Sequence, residues 1–266
     1  KLALTVGIKA AKHDILLFTE ANCEPMGKNW ISAMARNYIS STNIILGFCA
    51  YGHHKGFFHK LVAYDNLITG LQYISSALTG NPYTGNGRNL SYRKDLFFAH
   101  KGYYKSLSLH AGDDDLFINE SATDQNTWVE YSPESITEMA KIDRFSMWKE
   151  MKVSRAATQR YYKGWNLTFF RMESLSYFLF FIAVITSIVM GILGNWLISI
   201  LAGLLYIIRF STKATILHKS AKLLQQKPVT GWLFFLELLL PLFNLYVRIY
   251  RIFRGKNDYT FRLGNK

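Results

Sequence analysis

Two short acidic segments carry side chains whose types and spacing suit chemistry. The first is Glu20-Ala21-Asn22, which follows the apolar run Ile15–Phe18. A carboxylate and an amide oxygen two residues apart can both face a hard cation, Mg2+ or Mn2+, held on a diphosphate. An ordinary polar turn capping the next helix is the alternative. The second is Asp113-Asp114-Asp115. Three adjacent carboxylates repel one another, so at least one should carry a raised pKa or have a cation or hydroxyl partner, as a general base would. The competing reading is a solvated helix N-cap. His53, His54 and His59 have no carboxylate or cysteine at ligand spacing and read as a solvated loop. Cys23 and Cys49 stand alone, outside any CxxC spacing, so neither a disulfide framework nor a zinc site follows, and a reducing, cytosolic face suits them.

Elements that position these groups follow from the apolar pattern. Residues 1–11 start the chain inside a helical pattern with no cap or signal peptide, so the true N-terminus is expected to lie upstream. Ile15–Phe18 is a short continuous apolar run, the mark of a strand buried on both faces. A helix over residues 30–38, a strand over 44–51 and a helix over 57–78 follow, which is an α/β order. Residues 81–89, NPYTGNGRN, form a loop whose glycines let backbone approach a neighbour closely. A strand over 89–93 comes next, and the acids at 113–115 open a helix where its dipole favours negative charge. A basic helix over 143–162 carries Trp148, Lys149, Lys152, Arg155 and Arg160.

Half of the 266 residues are hydrophobic and 18% are charged, with a formal charge of +13. The excess is uneven: residues 1–174 hold 20 Lys/Arg against 16 Asp/Glu, and residues 175–266 hold 11 against 2. Positive charge concentrated in the greasiest third is what the positive-inside rule and anionic lipid call for, so no nucleic acid is expected among the partners. The 19 residues 175–193 carry no charge and suffice to cross a hydrocarbon core of about 30 Å. Gly194-Asn195 turns the chain into a second, shorter span over 196–210, giving a helical hairpin. A basic amphipathic helix over 211–228 should lie on the membrane surface. A third apolar helix over 231–250 contains Glu237, Pro241 and Asn244. Full crossing would put the basic tail (Arg248, Arg251, Arg254, Lys256) opposite the basic loop, so a true span and a re-entrant or interfacial helix both stay open. The domain division is therefore 1–165 and 166–266.

Taken in order, these pieces resemble a family 2 glycosyltransferase. Ile15-Leu-Leu-Phe-Thr-Glu-Ala-Asn-Cys-Glu-Pro with Trp30-Ile31 resembles the strand and T-D-A-D-C type turn of its catalytic domain. Thr84-Gly-Asn-Gly-Arg-Asn-Leu-Ser-Tyr-Arg-Lys is similar to its G-x-N-x-x-Y-R acceptor-side loop, and Gly112-Asp-Asp-Asp-Leu-Phe to its catalytic acid motif. Trp148-Lys-Glu-Met-Lys-Val-Ser-Arg falls where members carry a Q-x-x-R-type motif ahead of membrane helices. The resemblance implies an α/β fold, a partial GT-A (Rossmann-like) domain followed by C-terminal transmembrane helices. It implies an inverting, metal-dependent transfer of sugar from a nucleotide-diphosphate sugar donor to a lipid or lipid-linked glycan acceptor. The setting would be a bacterial inner (plasma) membrane with the catalytic domain cytoplasmic. By that likeness Glu20 and Asn22 stand at the metal positions, with Asp114, and beside it Asp113, as the base. Gly85, Gly87 and Asn89 stand in the acceptor or donor loop, and Trp148, Lys152 and Arg155 at diphosphate or acceptor contacts. The chain departs from the pattern where Glu20 and Asn22 replace two aspartates, which predicts weaker metal binding. It also departs where Met151 and Ser154 replace Gln and Arg, Arg155 standing one place late. A glycosyltransferase-like membrane partner that has lost catalysis is the alternative these departures favour.

Overall fold

The computed structural model of the chain describes residues 1–255. Strands β1 (Ile15–Phe18), β3 (Ile44–Leu46), β5 (Leu90–Arg93) and β6 (Thr127–Val129) form one sheet in the order β1-β5-β3-β6. β5 runs antiparallel to both β1 and β3, whereas β3 and β6 are parallel. A second sheet, β2-β7-β4, joins β2 (Cys23–Pro25), β7 (Thr137–Met139) and β4 (Cys49–Tyr51). The expected single strand over 44–51 is thus two strands in two sheets, divided at Gly47-Phe48, where Gly47 N–H bonds to Asn89 O and Tyr73 Oη donates to Gly47 O. A strand buried on both faces was expected at 15–18, but β1 lies at a sheet edge with Ile15 exposed and Leu16 buried. The doubly covered strand is β3, whose three side chains are essentially inaccessible.

Helices pack around these sheets. α1 (Leu2–Ala10) precedes β1, α2 (Trp30–Ala35) stops short of the expected residue 38, and α3 (Phe57–Leu78) begins after Gly56 in a left-handed conformation. α3 turns Leu67, Gly70 and Ile74 inward, and Gly70 sits so close on the Phe48 ring that no Cβ fits between them. α4 (Lys94–Ala99) and α5 (Asp115–Ser121) carry Phe97 and Phe117 into an aromatic cluster with Tyr92 and Tyr103. α6 (Phe145–Thr158) continues into a 3-10 turn, Gln159–Tyr161.

Three further helices are long and apolar enough to cross a membrane: α7 (Asn166–Leu193), α8 (Trp196–Leu223) and the segment Thr230–Phe253, which contains α9 (Leu233–Phe253). α7 and α8 pair as the expected hairpin, with Gly191 so close to Ser199 that any side chain there would collide. No break falls at residue 210, however: α8 runs unbroken from its apolar half through Arg209, Lys213, Lys219 and Lys222. Composition changes from apolar to basic there, but nothing in the sequence breaks the backbone, since no Gly or Pro falls between residues 204 and 227. α9 lies against α6 and α3, with Trp148 stacked on Phe243 at 4.3 Å. Of the basic tail, Arg248 and Arg251 lie in α9 and Arg254 at its end, whereas Lys256 lies outside the described residues.

Candidate functional site

The Gly-rich loop and the acidic turn are built onto each other. Gly87 N–H donates to Asp114 Oδ2 at 2.8 Å, and Asp115 N–H donates to Asp114 Oδ1 at 2.7 Å, so Asp114 caps α5 and has both oxygens fixed. Gly112, at φ +99°, makes the turn ahead of the acids. Asp115 points the other way, into the protein, where it is 3% exposed and accepts from Thr158 Oγ1 and Tyr162 Oη. Burial, then the neighbouring Asp114, push Asp115 up to about 6. Burial followed by Asp114 likewise raises the half-buried Asp113. In both Asp113 and Asp115 the repulsion expected within the triplet adds to a larger effect of burial.

A cavity of about 620 Å3 opens above this turn. Its walls include Asp113, Asp114, Gly87, Arg88, Glu20, Lys152 and Arg155, so residues distant in sequence meet around one space. Lys152 is ion-paired to Asp65 at 2.5 Å, and Trp148 Nε1 donates to the same carboxylate at 3.2 Å. Trp148 itself is 2% exposed and stacks on Phe243, which fixes Asp65 and Lys152. Arg155 donates to Gly85 O at 3.1 Å. Burial works against the Arg155 charge, but Tyr162, Asp114 and Asp115 outweigh it and raise its pKa.

Not all expected residues reach the cavity. Asn89 is 1% exposed and holds the core together: its amide donates to Phe48 O and Ser135 O, and its oxygen accepts from Trp30 Nε1. Gly85 is packed between Ile118, Leu46 and Leu90, and contributes only its carbonyl, to Arg155. Of the three loop residues, Gly87 alone lines the cavity.

Glu20 and Asn22 do not form a cation site together. Glu20 lines the cavity, but its Oε2 is 3.0 Å from Arg88 Nε. Asn22 is exposed, is absent from the cavity wall, and has its Oδ1 beside Cys23 Sγ at 3.5 Å. Residue Ala21 and the start of β2 rotate it away: Cys23 N–H bonds back to Glu20 O, and Asn22 O accepts from Ala140 N–H. Among the described residues no cluster of three or more His, Cys, Asp or Glu side chains could hold a metal ion. One carboxylate already paired to a guanidinium does not fit a divalent cation.

Sequence reasoning missed Arg88, Asp65, Thr158 and Tyr162, because only the fold brings them to the acids. It also treated the cysteines as separate. β2 and β4 flank β7 and set Cys49 Sγ 3.8 Å from Cys23 Sγ, the hydrogen bond lowering the Cys23 pKa and raising that of Cys49. The histidines gather around Tyr51, whose Oη meets His59 Nδ1 at 2.8 Å, beside a separate small cavity.

No family model matches the chain, and no curated protein matches it significantly. Among solved structures, it is similar to a mannosyltransferase from Pyrobaculum calidifontis determined in complex with GDP-Man and Mn2+, with 12% sequence identity and a TM-score of 0.49. The alignment covers 95% of this chain and 66% of that protein, less than two thirds of its length.

Proposed function

We propose that this chain acts as a membrane-bound glycosyltransferase that moves a sugar, with inversion, from a nucleotide-diphosphate sugar to a hydroxyl of a lipid or lipid-linked glycan acceptor. The observation that carries the reading is that Glu20, Asp113 and Asp114 share one cavity with Arg88, Lys152 and Arg155. A carboxylate within reach of an acceptor hydroxyl can take its proton as the new bond forms. Asp114 suits that part, since two backbone N–H groups hold it in place while the carboxylate keeps free lone pairs toward the cavity. The three cations meet the charge that builds on the departing diphosphate, a fixed electrostatic field that needs no reorganisation during the reaction. Attack by the acceptor oxygen in line with the departing diphosphate would invert the anomeric carbon.

The lipid part of the reading rests on position. α9 packs directly on α6, which carries Trp148, Lys152 and Arg155, so the cavity borders the apolar helices. An acceptor held in the membrane would reach it from there. The test is donor turnover by the complete protein in membranes, using a panel of nucleoside-diphosphate hexoses. Asp114→Asn should lower turnover by about 10²–10⁴-fold, and unchanged turnover removes the base assignment.

A partner protein that has lost catalysis is the second reading. It draws on the Glu20–Arg88 ion pair and on Asn22 lying off the cavity wall. Complete absence of turnover across the donor panel, with the protein folded and in the membrane, would favour it.

A further inference from the structure

A second cavity of about 440 Å3 adjoins the first, between α3, α6 and the apolar helices α7, α8 and α9. Asp65, Thr69, Lys152 and Arg155 line both spaces, so only their side chains divide one from the other. Six cations face the second cavity: Lys152, Arg155, Arg171, Arg209, Lys213 and Arg248. Three carboxylates accompany them: Asp65, Glu173 and Glu237. Lys152 belongs to Asp65, and the deeply buried Glu237 takes both Arg209, at 3.1 Å, and Lys213, at 2.6 Å. Among the described residues no carboxylate is paired with Arg171 or Arg248, and Glu173 pairs with neither. Apolar side chains, among them Phe170, Phe180, Leu240 and Val247, complete the wall.

Arg171 and Arg248 are both exposed on the flanks of helices fit for a membrane, and among the described residues no carboxylate offsets them; where such helices meet lipid, guanidinium charges are costly unless an anion joins them. Phosphate oxygens match guanidinium geometry and add charge-assisted hydrogen bonds. We propose that this second cavity binds the phosphate or diphosphate of a lipid-linked acceptor. The lipid chain leaves between the apolar helices, the phosphate lies on Arg171 and Arg248, and the hydroxyl-bearing head group passes the Lys152–Arg155 divide toward Asp114. The acceptor role rests on the glycosyl-transfer reading above, whereas the phosphate-lipid site stands on this cavity alone. In the transfer, the head-group hydroxyl oxygen bonds to the anomeric carbon as the bond from that carbon to the donor diphosphate breaks. The hydroxyl proton goes to Asp114 and the electron pair leaves on the diphosphate.

The test uses the full chain in dodecyl maltoside, with dodecyl phosphate, inorganic phosphate and a nucleoside diphosphate as probes in native mass spectrometry and thermophoresis. Dodecyl phosphate should bind, and Arg171→Gln and Arg248→Gln should each weaken it at least tenfold, about the loss of one charge-assisted hydrogen bond. Arg248→Lys, which keeps the charge, should lose less, so a drop in Arg248→Gln is not a folding defect. Dodecyl phosphate affinity unchanged in both glutamine variants overturns the proposal. Inorganic phosphate competing as well as dodecyl phosphate also overturns it, by assigning the site to a free anion. Arginine-dependent dodecyl phosphate binding without turnover of any donor supports this site while sinking the glycosyl-transfer reading, and donor turnover with no dodecyl phosphate binding does the reverse.

Discussion

Glu20 and Arg88 share one wall of the first cavity, and in the proposed transfer their 3.0 Å ion pair would bear on how charge on a leaving diphosphate is met. A guanidinium at this place supplies a permanent cation with a planar fork suited to phosphate oxygens. Arg88→Gln in the active protein should therefore lower turnover on the order of 10²-fold, the usual cost of losing one preorganised charge-stabilising group. Chelating divalent ions with EDTA should lower turnover by less than about tenfold if this cation outweighs a metal at the diphosphate. A chelator effect larger than the Arg88→Gln effect would reverse that ranking. Asp115 gives a pH prediction. Its folded pKa is raised from 3.8 to about 6, so the native state holds its proton more tightly than the unfolded chain does. The associated stability is fully present below 3.8 and is lost as pH rises through about 6. The loss amounts to roughly 2–3 kcal/mol for this buried group. Infrared titration of the protonated carboxyl band should show a midpoint near about 6 that is absent in Asp115→Asn. A band titrating near 3.8 in the wild type would refute the shift. None of this could be read from the acidic triplet alone. The sequence places three carboxylates in a row, but which one turns inward depends on Thr158, the last residue of α6, and Tyr162 just after it, both far along the chain.

At the scale of elements, the acids are aimed by Gly112. Its φ of +99° is a conformation that L side chains rarely adopt, and an added Cβ would stand 2.6 Å from Leu116 Cδ1. Gly112→Ala should cost about 1–3 kcal/mol through strain and the clash and displace Asp114 from Gly87, lowering donor turnover more than thermal stability. A thermal midpoint and turnover both at wild-type values would show that the turn tolerates the change. Long elements with a single environment were legible in sequence. Phe57–Leu78 is a helix over the whole expected range, and Ile15–Phe18 a strand over all of its own. Strands β2, β6 and β7 were not, being three residues each, with polar residues such as Glu24, Thr127 and Glu138 inside them. Pairing across long sequence separations, Cys23 with Met139 or Ile44 with Thr127, creates them. The acid turn, the Gly-rich loop and the basic helix could be picked out because each is local. Asn89 was misplaced for the opposite reason: a polar residue in a Gly-rich loop looks like a ligand contact until its three hydrogen bonds into the core are seen.

The whole molecule couples the sheet-bearing half, residues 1–165, to its apolar helices at several points. Gln226, just beyond α8, is 2% exposed, donates to Ala63 O at 2.6 Å, and accepts from Asn66 Nδ2 and Tyr51 N–H. That anchor fixes the end of α8, and with it the start of α9, against α3. α7 and α8 have 28 residues each, so at 1.5 Å per residue they extend about 42 Å, well beyond a hydrocarbon core of about 30 Å. Where both cross a membrane, their turn at Gly194-Asn195 falls on the far side from residues 1–165. α9 is different, because its inner face, Leu233, Leu236, Leu240 and Val247, is buried on the protein, while Phe235, Leu242, Leu245 and Ile252 are exposed. A helix gripped along one side by α6 and α3 and greasy on the other suits the membrane interface, which would leave residue 255 on the catalytic side. The two arrangements separate cleanly by cysteine labelling in sealed inside-out vesicles, with Cys23→Ser and Cys49→Ala in the background. Gly194 and Gly255 are suitable sites, since a Cβ at the first meets nothing closer than 3.5 Å and one at the second meets nothing within 4 Å. An interfacial α9 predicts that Gly255→Cys reacts with an impermeant maleimide while Gly194→Cys reacts only after the vesicles are opened. Equal protection of both positions would mean that α9 crosses the bilayer. The Trp148–Phe243 stack would then have to lie within the membrane.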